Sequence, residues 1–187
     1  MQLNIYRISH PLIQVIMNYI TGTIHKEKYE YYYRYIGLLL TYEMFRKYLE
    51  INKIYIKLIN EVKEINLPNT KKKQIILTDI SNTYDMIVDI KIILPTVEII
   101  NVNYRNMETI EYSIKNLKIQ YQKTQIFILE KQIVDKTLIN LITCLKNEKH
   151  MAIEDITIGC IQINHTNLNK IGSQYPELNI YTTQIIN

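Results

Sequence analysis

Residues 125–164 read QIFILEKQIVDKTLINLITCLKNEKHMAIEDITIGCIQIN, and this stretch decides the fold. Two short apolar runs, near 125–130 and 155–164, have the length and bounds of buried strands. The segment between them carries apolar residues at helical spacing, namely Val134, Leu138, Leu141, Ile142 and Leu145. A strand, a helix and a second strand in this order predict two parallel strands joined by a helical crossover.

The same alternation extends on both sides of this unit. Further strands are expected near 74–80, 97–104 and 179–186, and further helices near 82–92 and 166–174. This pattern predicts an α/β fold with a central parallel sheet and flanking helices. Ligands of such folds bind at the carboxyl ends of the strands. The loops of interest therefore follow Ile80, Tyr104, Glu130 and Asn164.

The first third of the chain has a different pattern. His10-Pro11 opens a helix with apolar residues at helical spacing, and a second helix is expected over 26–48. Alternating apolar residues around 54–58 and 62–65 then predict an antiparallel hairpin arm. Since no linker or internal repeat interrupts the pattern, we expect one domain over 1–187.

The composition is unusual, because Ile, Asn, Lys and Tyr make up 90 of the 187 residues. Ala152 is the single alanine, and there are four glycines. These four abundant residues have A/T-rich codons. The composition therefore indicates drift in an A/T-rich genome such as that of a plastid, or else selection for a tyrosine-rich surface.

Charge and residue spacing argue against several classes of function. The net charge is +4, and the basic residues are scattered apart from Lys71–Lys73, so we expect no nucleic-acid partner. Cys144 and Cys160 are far apart and are expected to be buried thiols. The four histidines lack ligand spacing, so we expect no metal site. No apolar run reaches the length of a membrane span, so we expect no membrane partner.

Four short blocks carry a resemblance to a known family. They are His-Pro-Leu at 10–12, Ile-Gly-Leu-Leu-Leu-Thr-Tyr-Glu at 36–43, Tyr-Arg-Asn-Met-Glu-Thr-Ile-Glu at 104–111 and Leu-Asn-Ile-Tyr-Thr-Thr at 178–183. In order and with matching spacing, these blocks resemble uracil phosphoribosyltransferases. The resemblance implies a type I phosphoribosyltransferase fold with N-terminal helices and a hairpin arm that makes a homodimer. It also implies transfer of ribose 5-phosphate from phosphoribosyl pyrophosphate to uracil, with Mg²⁺.

The chain departs from that family at both phosphate turns. The family's Arg-Ala-Gly-Leu-Gly corresponds to Asp-Ile-Ser-Asn-Thr-Tyr-Asp at 79–85, where two acids would repel pyrophosphate. The family's Asp-Pro-Met-Leu-Ala-Thr-Gly-Gly-Ser corresponds to Glu-Lys-Gln-Ile-Val-Asp-Lys-Thr-Leu at 130–138. No glycine lies between Gly37 and Gly159, although glycine readily supplies positive φ. The sequence ends at Asn187, before the family's uracil-binding segment.

These departures leave no residue that we would assign to catalysis. The chain does retain an arginine, Arg105, which the resemblance matches to a residue that contacts phosphoribosyl pyrophosphate in the family. We therefore expect a weak residual site for phosphoribosyl pyrophosphate or phosphate at Arg105, Lys131, Lys136 and Thr137. The alternative is that the loop around Arg105 is retained for packing or dimer contact. No cofactor is expected, and Mg²⁺ would be needed only if activity were retained.

The sequence thus predicts a degenerate, C-terminally truncated homologue of uracil phosphoribosyltransferase without that activity. Two alternatives stay open: an active enzyme, with or without a partner subunit that completes its site, and a regulator that binds RNA or nucleotides. The composition, the resemblance and the lack of a transit peptide favour a protein encoded in a red-algal plastid. The cytoplasm is the alternative location.

Overall fold

The computed structural model describes residues 3–22, 28–69, 71–103, 106–120, 123–133 and 137–186. The strands are β1 (Asn4–Arg7), β2 (Glu50–Lys57), β3 (Val62–Asn69), β4 (Lys73–Thr78), β5 (Glu98–Asn101), β6 (Thr124–Ile133), β7 (Ile156–Asn164) and β8 (Asn179–Ile186). The helices are α1 (Pro11–Thr21), α2 (Tyr29–Phe45), α3 (Ile80–Ile93), α4 (Met107–Lys115), α5 (Thr137–Lys149) and α6 (His165–Gln174). A 3-10 turn, Ile153–Asp155, precedes β7.

Within the described part of the chain, six strands form a sheet in the order β1-β8-β7-β6-β4-β5. All five strand pairs in this sheet are parallel, as the sequence predicted. The strands are rich in isoleucine, whose β-branched side chain suits a strand that is buried on both faces. In the centre of β6, Ile126, Phe127, Ile128 and Leu129 are all buried. The central parallel sheet of the predicted fold class is confirmed.

Helices cover both faces of the sheet. One apolar core joins the sheet to α4, α5 and α6, and the other joins it to α1, α2 and α3. The contact between α2 and α3 is strengthened by Arg34, whose Nε and Nη2 donate to the carboxylate of Asp89 at 2.6 and 2.5 Å. Hydrogen bonding from Arg34 lowers the pKa of Asp89, so this pair stays ionised at neutral pH.

Two glycines serve close packing. A Cβ at Gly37 in α2 would lie 2.5 Å from both Cα and the carbonyl oxygen of Met86 in α3. A Cβ at Gly159 in β7 would overlap the sulfur of Met44 in α2. These residues let α2 approach α3 and the sheet more closely than a side chain would allow. None of the four glycines has positive φ.

Several elements differ from the expectation. Strand β1, which pairs with β8, was not predicted, and neither was α4. Strand β6 continues to Ile133 and so extends into the predicted second phosphate turn. The hairpin arm is confirmed and is longer than expected, with eight residues in each strand. All residues of β2 are exposed.

We expect Gly37→Ala to lower the free energy of unfolding by about 2 kcal/mol or more, because the added methyl group overlaps backbone atoms. Denaturant unfolding would measure this loss. Gly172→Ala is the matched control, since its Cβ would meet Leu3 at an ordinary 3.4 Å within α6. The control should be neutral or gain up to about 1 kcal/mol from helix propensity. Equal effects of the two substitutions would contradict this account.

Candidate functional site

The candidate site lies where the order of the strands reverses. From β4 the chain crosses to β5 at one edge, and then returns to β6 on the other side of β4. Open parallel sheets form a crevice at such a point, beside the carboxyl ends of the two diverging strands. Here that crevice is bounded by the start of α3, which follows β4, and by the end of β6.

Asp79 caps the start of α3. Its Oδ1 accepts from the backbone N–H of Ser81 at 3.1 Å and from the Ser81 hydroxyl at 2.5 Å. Its Oδ2 accepts from the side-chain amide of Asn82 at 2.7 Å. Asp79 is therefore a strong N-cap, and its negative charge occupies the end of the helix that would otherwise attract an anion.

Neighbouring strands and the carbonyl of Asp79 supply acceptors for the other N–H groups of residues 79–83, which we call the capped turn. Asn101 at the end of β5 accepts from the N–H of Ile80 at 2.9 Å, and Glu130 in β6 accepts from the N–H of Asp79 at 3.3 Å. The carbonyl of Asp79 accepts from the N–H groups of Asn82 and Thr83, each at 3.0 Å. Every backbone N–H of the capped turn is thus bonded to the chain itself.

Thr78 fixes the capped turn against β6. Its buried hydroxyl donates to the carbonyl of Leu129 at 2.5 Å and contacts the hydroxyl of Thr83 at 2.6 Å. The Thr83 hydroxyl also lies 2.8 Å from the carbonyl oxygen of Asp79. Because these groups are buried and paired, the turn has little freedom to open around a ligand.

Lys131 lies beside the crevice. Its Nζ is 4.0 Å from the ring centroid of Tyr33 in α2 and 3.6 Å from Oδ2 of Asp85 in α3. Burial raises the pKa of Tyr33, and Tyr29 and Asp85 add to this effect, so the hydroxyl stays neutral. Lys131 is engaged with an aromatic ring and a carboxylate, so a phosphate would have to compete with both.

Only two of the four residues of the predicted phosphate site lie among the residues that the structure describes. Lys131 stands at the crevice, and Thr137 is the first residue of α5, where it is half-buried. Arg105 and Lys136 lie outside the described residues. The site as a whole stays a prediction. Asn101, which the sequence analysis missed, could have been suspected because it ends a parallel strand.

One group of potential metal ligands occurs among the described residues. Ligand atoms of Glu111, Cys144 and Glu148 lie within 4.8 Å of one another, between α4 and α5. Burial raises the pKa of Cys144, and the two nearby glutamates raise it further, so the thiol keeps its proton. A protonated thiol is a poor metal ligand.

The comparisons with known proteins give a consistent relationship. The "Uracil phosphoribosyltransferase homolog" of Porphyra purpurea is 28% identical over 191 residues, covering 99% of this chain and 89% of the relative. The protein of the same name from Pyropia yezoensis is 29% identical over 194 residues, with the same coverage. No protein-family model matches the chain.

A solved structure confirms the fold. The AQ2163 protein from Aquifex aeolicus superposes with a TM-score of 0.73 at 17% identity, over 97% of this chain and 86% of that one. Together with the two relatives, this match confirms the expected resemblance and the phosphoribosyltransferase-like fold. Among the described residues, no helix combines the length and apolar character needed to cross a membrane.

We expect Asp79→Ala to cost about 1 kcal/mol of stability through loss of the helix cap, and to create an anion site. Removing the carboxylate releases the N–H of Ser81 and removes a negative charge from the helix start. Inorganic phosphate should therefore raise the melting temperature of Asp79→Ala more than that of the wild type. Asp79→Asn, which keeps a capping oxygen, should lose less stability. An equal rise in melting temperature of wild type and Asp79→Ala with phosphate would contradict the view that the Asp79 carboxylate keeps anions from the start of α3.

Proposed function

We propose, from the relationship of this chain to the red-algal uracil phosphoribosyltransferase homologues, that it is a member of that group without the transferase activity. The observation that carries the proposal is the capped turn, residues 79–83. Its N–H groups are bonded to acceptors within the protein, and the side chains among those acceptors are Asp79, Asn101 and Glu130. A phosphate-binding turn needs such N–H groups to be available to the ligand.

Electrostatics support the same conclusion. The reaction releases pyrophosphate, so the transition state must be stabilised by cations and N–H donors placed around the leaving group. The capped turn instead places the carboxylates of Asp79 and Glu130 on neighbouring N–H groups. One carboxylate at 4 Å from a phosphate charge costs about 4 kcal/mol at an effective dielectric constant near 20.

The extension of β6 concerns the first part of the second phosphate turn, residues 130–133. Gln132 and Ile133 pair with Gln162 and Ile163 of β7, so their backbone is part of the sheet. The family's two glycines correspond to Lys136 and Thr137, and Lys136 lies outside the described residues. Neither lysine nor threonine adopts positive φ as readily as glycine, which supports the proposed loss of the phosphate cradle.

We further propose that the hairpin arm holds a homodimer together. A two-stranded sheet alone is marginally stable in water. One face of the arm carries Ile54, Ile56, Ile65 and Leu67, and all but Ile65 are more than 40% exposed. A second copy of the chain that covers this face would bury these residues and stabilise the arm.

A plastid location completes the proposal. Both relatives come from red algae, and the sequence is rich in residues with A/T-rich codons. These two facts together favour a plastid-encoded protein.

The activity is tested directly by incubating purified protein with uracil, phosphoribosyl pyrophosphate and Mg²⁺, with chromatographic detection of uridine monophosphate. We expect no product above the protein-free background, because the capped turn cannot receive the diphosphate. An active uracil phosphoribosyltransferase assayed in parallel shows that the conditions are adequate. Saturable turnover that is lost in an Arg105→Ala variant would overturn the proposal.

The dimer is tested by analytical ultracentrifugation of Ile54→Glu. We expect the wild type to sediment as a dimer and the variant as a folded monomer, since a buried unpaired carboxylate opposes association. Tyr112→Glu is the control, because it adds the same charge at an exposed position in α4 and should remain dimeric. A monomeric wild type would exclude this role for the arm, as would a fully dimeric Ile54→Glu.

A further inference from the structure

An apolar groove lies between α2 and α3 and is open to solvent. Its volume is about 530 Å³, and its lining includes Leu39, Phe45, Leu49, Ile90 and Leu94. An apolar cavity of about 150 Å³ already holds a benzene-sized group, so this groove has room for two aliphatic side chains. An apolar surface of this kind is typical of a place where another molecule binds.

The rim of the groove adds apolar surface and carries a positive charge. Tyr42 and Ile93 lie there, and 61% and 57% of their surfaces are exposed. Arg46, which directly follows α2, also lines the groove, and 70% of its side chain is exposed. Its Nη1 is 3.7 Å from Oε2 of Glu43, which is too long for a hydrogen bond. The guanidinium therefore keeps N–H donors for a second carboxylate.

The groove lies at the base of the hairpin arm. Leu49 lines the groove and immediately precedes Glu50, the first residue of β2. Each strand of the arm has eight residues. At about 3.3 Å per residue the arm is about 26 Å long, so its far end is well away from the groove of its own chain.

The arm tip, residues 58–61, is apolar where a turn is usually polar. The N–H of Leu58 donates to the carbonyl of Glu61 at 2.8 Å, so Ile59 and Asn60 form a two-residue loop. Such loops favour asparagine, aspartate or glycine, and an isoleucine gives the turn no advantage. Ile59 is nevertheless fully exposed, and Leu58 beside it is 44% exposed. Turn formation does not explain these two side chains, which indicate a contact with another molecule.

Twofold symmetry allows the arm tip to reach the groove of a second copy. In a twofold dimer every contact is made twice, so each tip reaches the groove at the base of the other arm. The two arms then lie side by side in opposite directions and meet near their middle. Ile54 and Ile65 are paired there, on the apolar face that we assign to the dimer.

We propose that Leu58 and Ile59 of one copy insert into the groove between α2 and α3 of a second copy, where Glu61 of the inserted tip pairs with Arg46. The apolar tip fits the apolar groove, and the exposed carboxylate beside the tip matches the exposed guanidinium at the rim. The inference rests on the proposed homodimer and adds the surface to which each arm docks.

Charge reversal tests the pair, with the dimer dissociation constant measured by analytical ultracentrifugation. Arg46→Glu and Glu61→Arg should each weaken the dimer at least ten-fold, because like charges then face each other across the interface. The double variant restores opposite charges and should return to within about three-fold of the wild type. Glu108→Arg is the control, since it makes the same charge change at an exposed position in α4, on the other face of the sheet.

The apolar part of the contact is tested by Ile59→Asn. Asparagine suits the turn, and Ile59 is fully exposed within its own chain, so the variant should fold as stably as the wild-type monomer. We expect its dimer to dissociate at least ten-fold more readily, because the groove loses an aliphatic side chain. Denaturant unfolding at a concentration below dimer formation checks that the fold is unchanged.

The outcomes separate this inference from the proposed dimer itself. A monomeric wild type would overturn both. If Ile54→Glu abolishes the dimer while Ile59→Asn, Arg46→Glu and Glu61→Arg dimerise like the wild type, the arm-mediated dimer stands and the docking of its tip is overturned. Failure of the double charge reversal to restore a dimer that the single variants weaken would equally overturn the docking.

Discussion

The backbone N–H groups at the start of a helix have no partner within the helix, and the way they are satisfied here governs the candidate site. The capped turn uses Asp79 from its own chain segment, Asn101 from β5 and Glu130 from β6. The same contacts fasten α3 across the point where the strand order reverses. The same N–H groups could either stabilise the turn or bind a ligand. In this chain they make hydrogen bonds within the protein and so stabilise the turn.

The two ends of the sheet therefore have opposite character. At the carboxyl ends of β4 and β6, where this fold normally binds its ligand, hydrogen-bond donors are satisfied and negative charge is concentrated. At the amino ends of the same two strands, three lysines and three acids line one cleft, so the charges there balance.

The sequence predicted most strands of the central sheet, but it did not predict the side-chain contacts that cap the start of α3. Strands β4, β6, β7 and β8 are short apolar runs rich in β-branched residues, so their length and composition identified them. Strand β1 is only four residues long and exposed, which leaves too few positions for a pattern. Helix α4 begins with a capping box formed by Asn106 and Thr109, a less familiar pair than serine with glutamate. The contacts of Asn101 and Glu130 with α3 join segments up to 51 residues apart, and local patterns carry no such information.

The lengths of the two outermost strands have a consequence for a chain so rich in isoleucine. Strands β1 and β5 form the borders of the sheet and contain four residues each, against six to ten in the strands between them. A short border offers few free N–H and C=O groups on which another molecule could extend the sheet. The long isoleucine-rich strands of this sheet lie between the short borders, which limits the edge that amyloid-like stacking of the sheet could use.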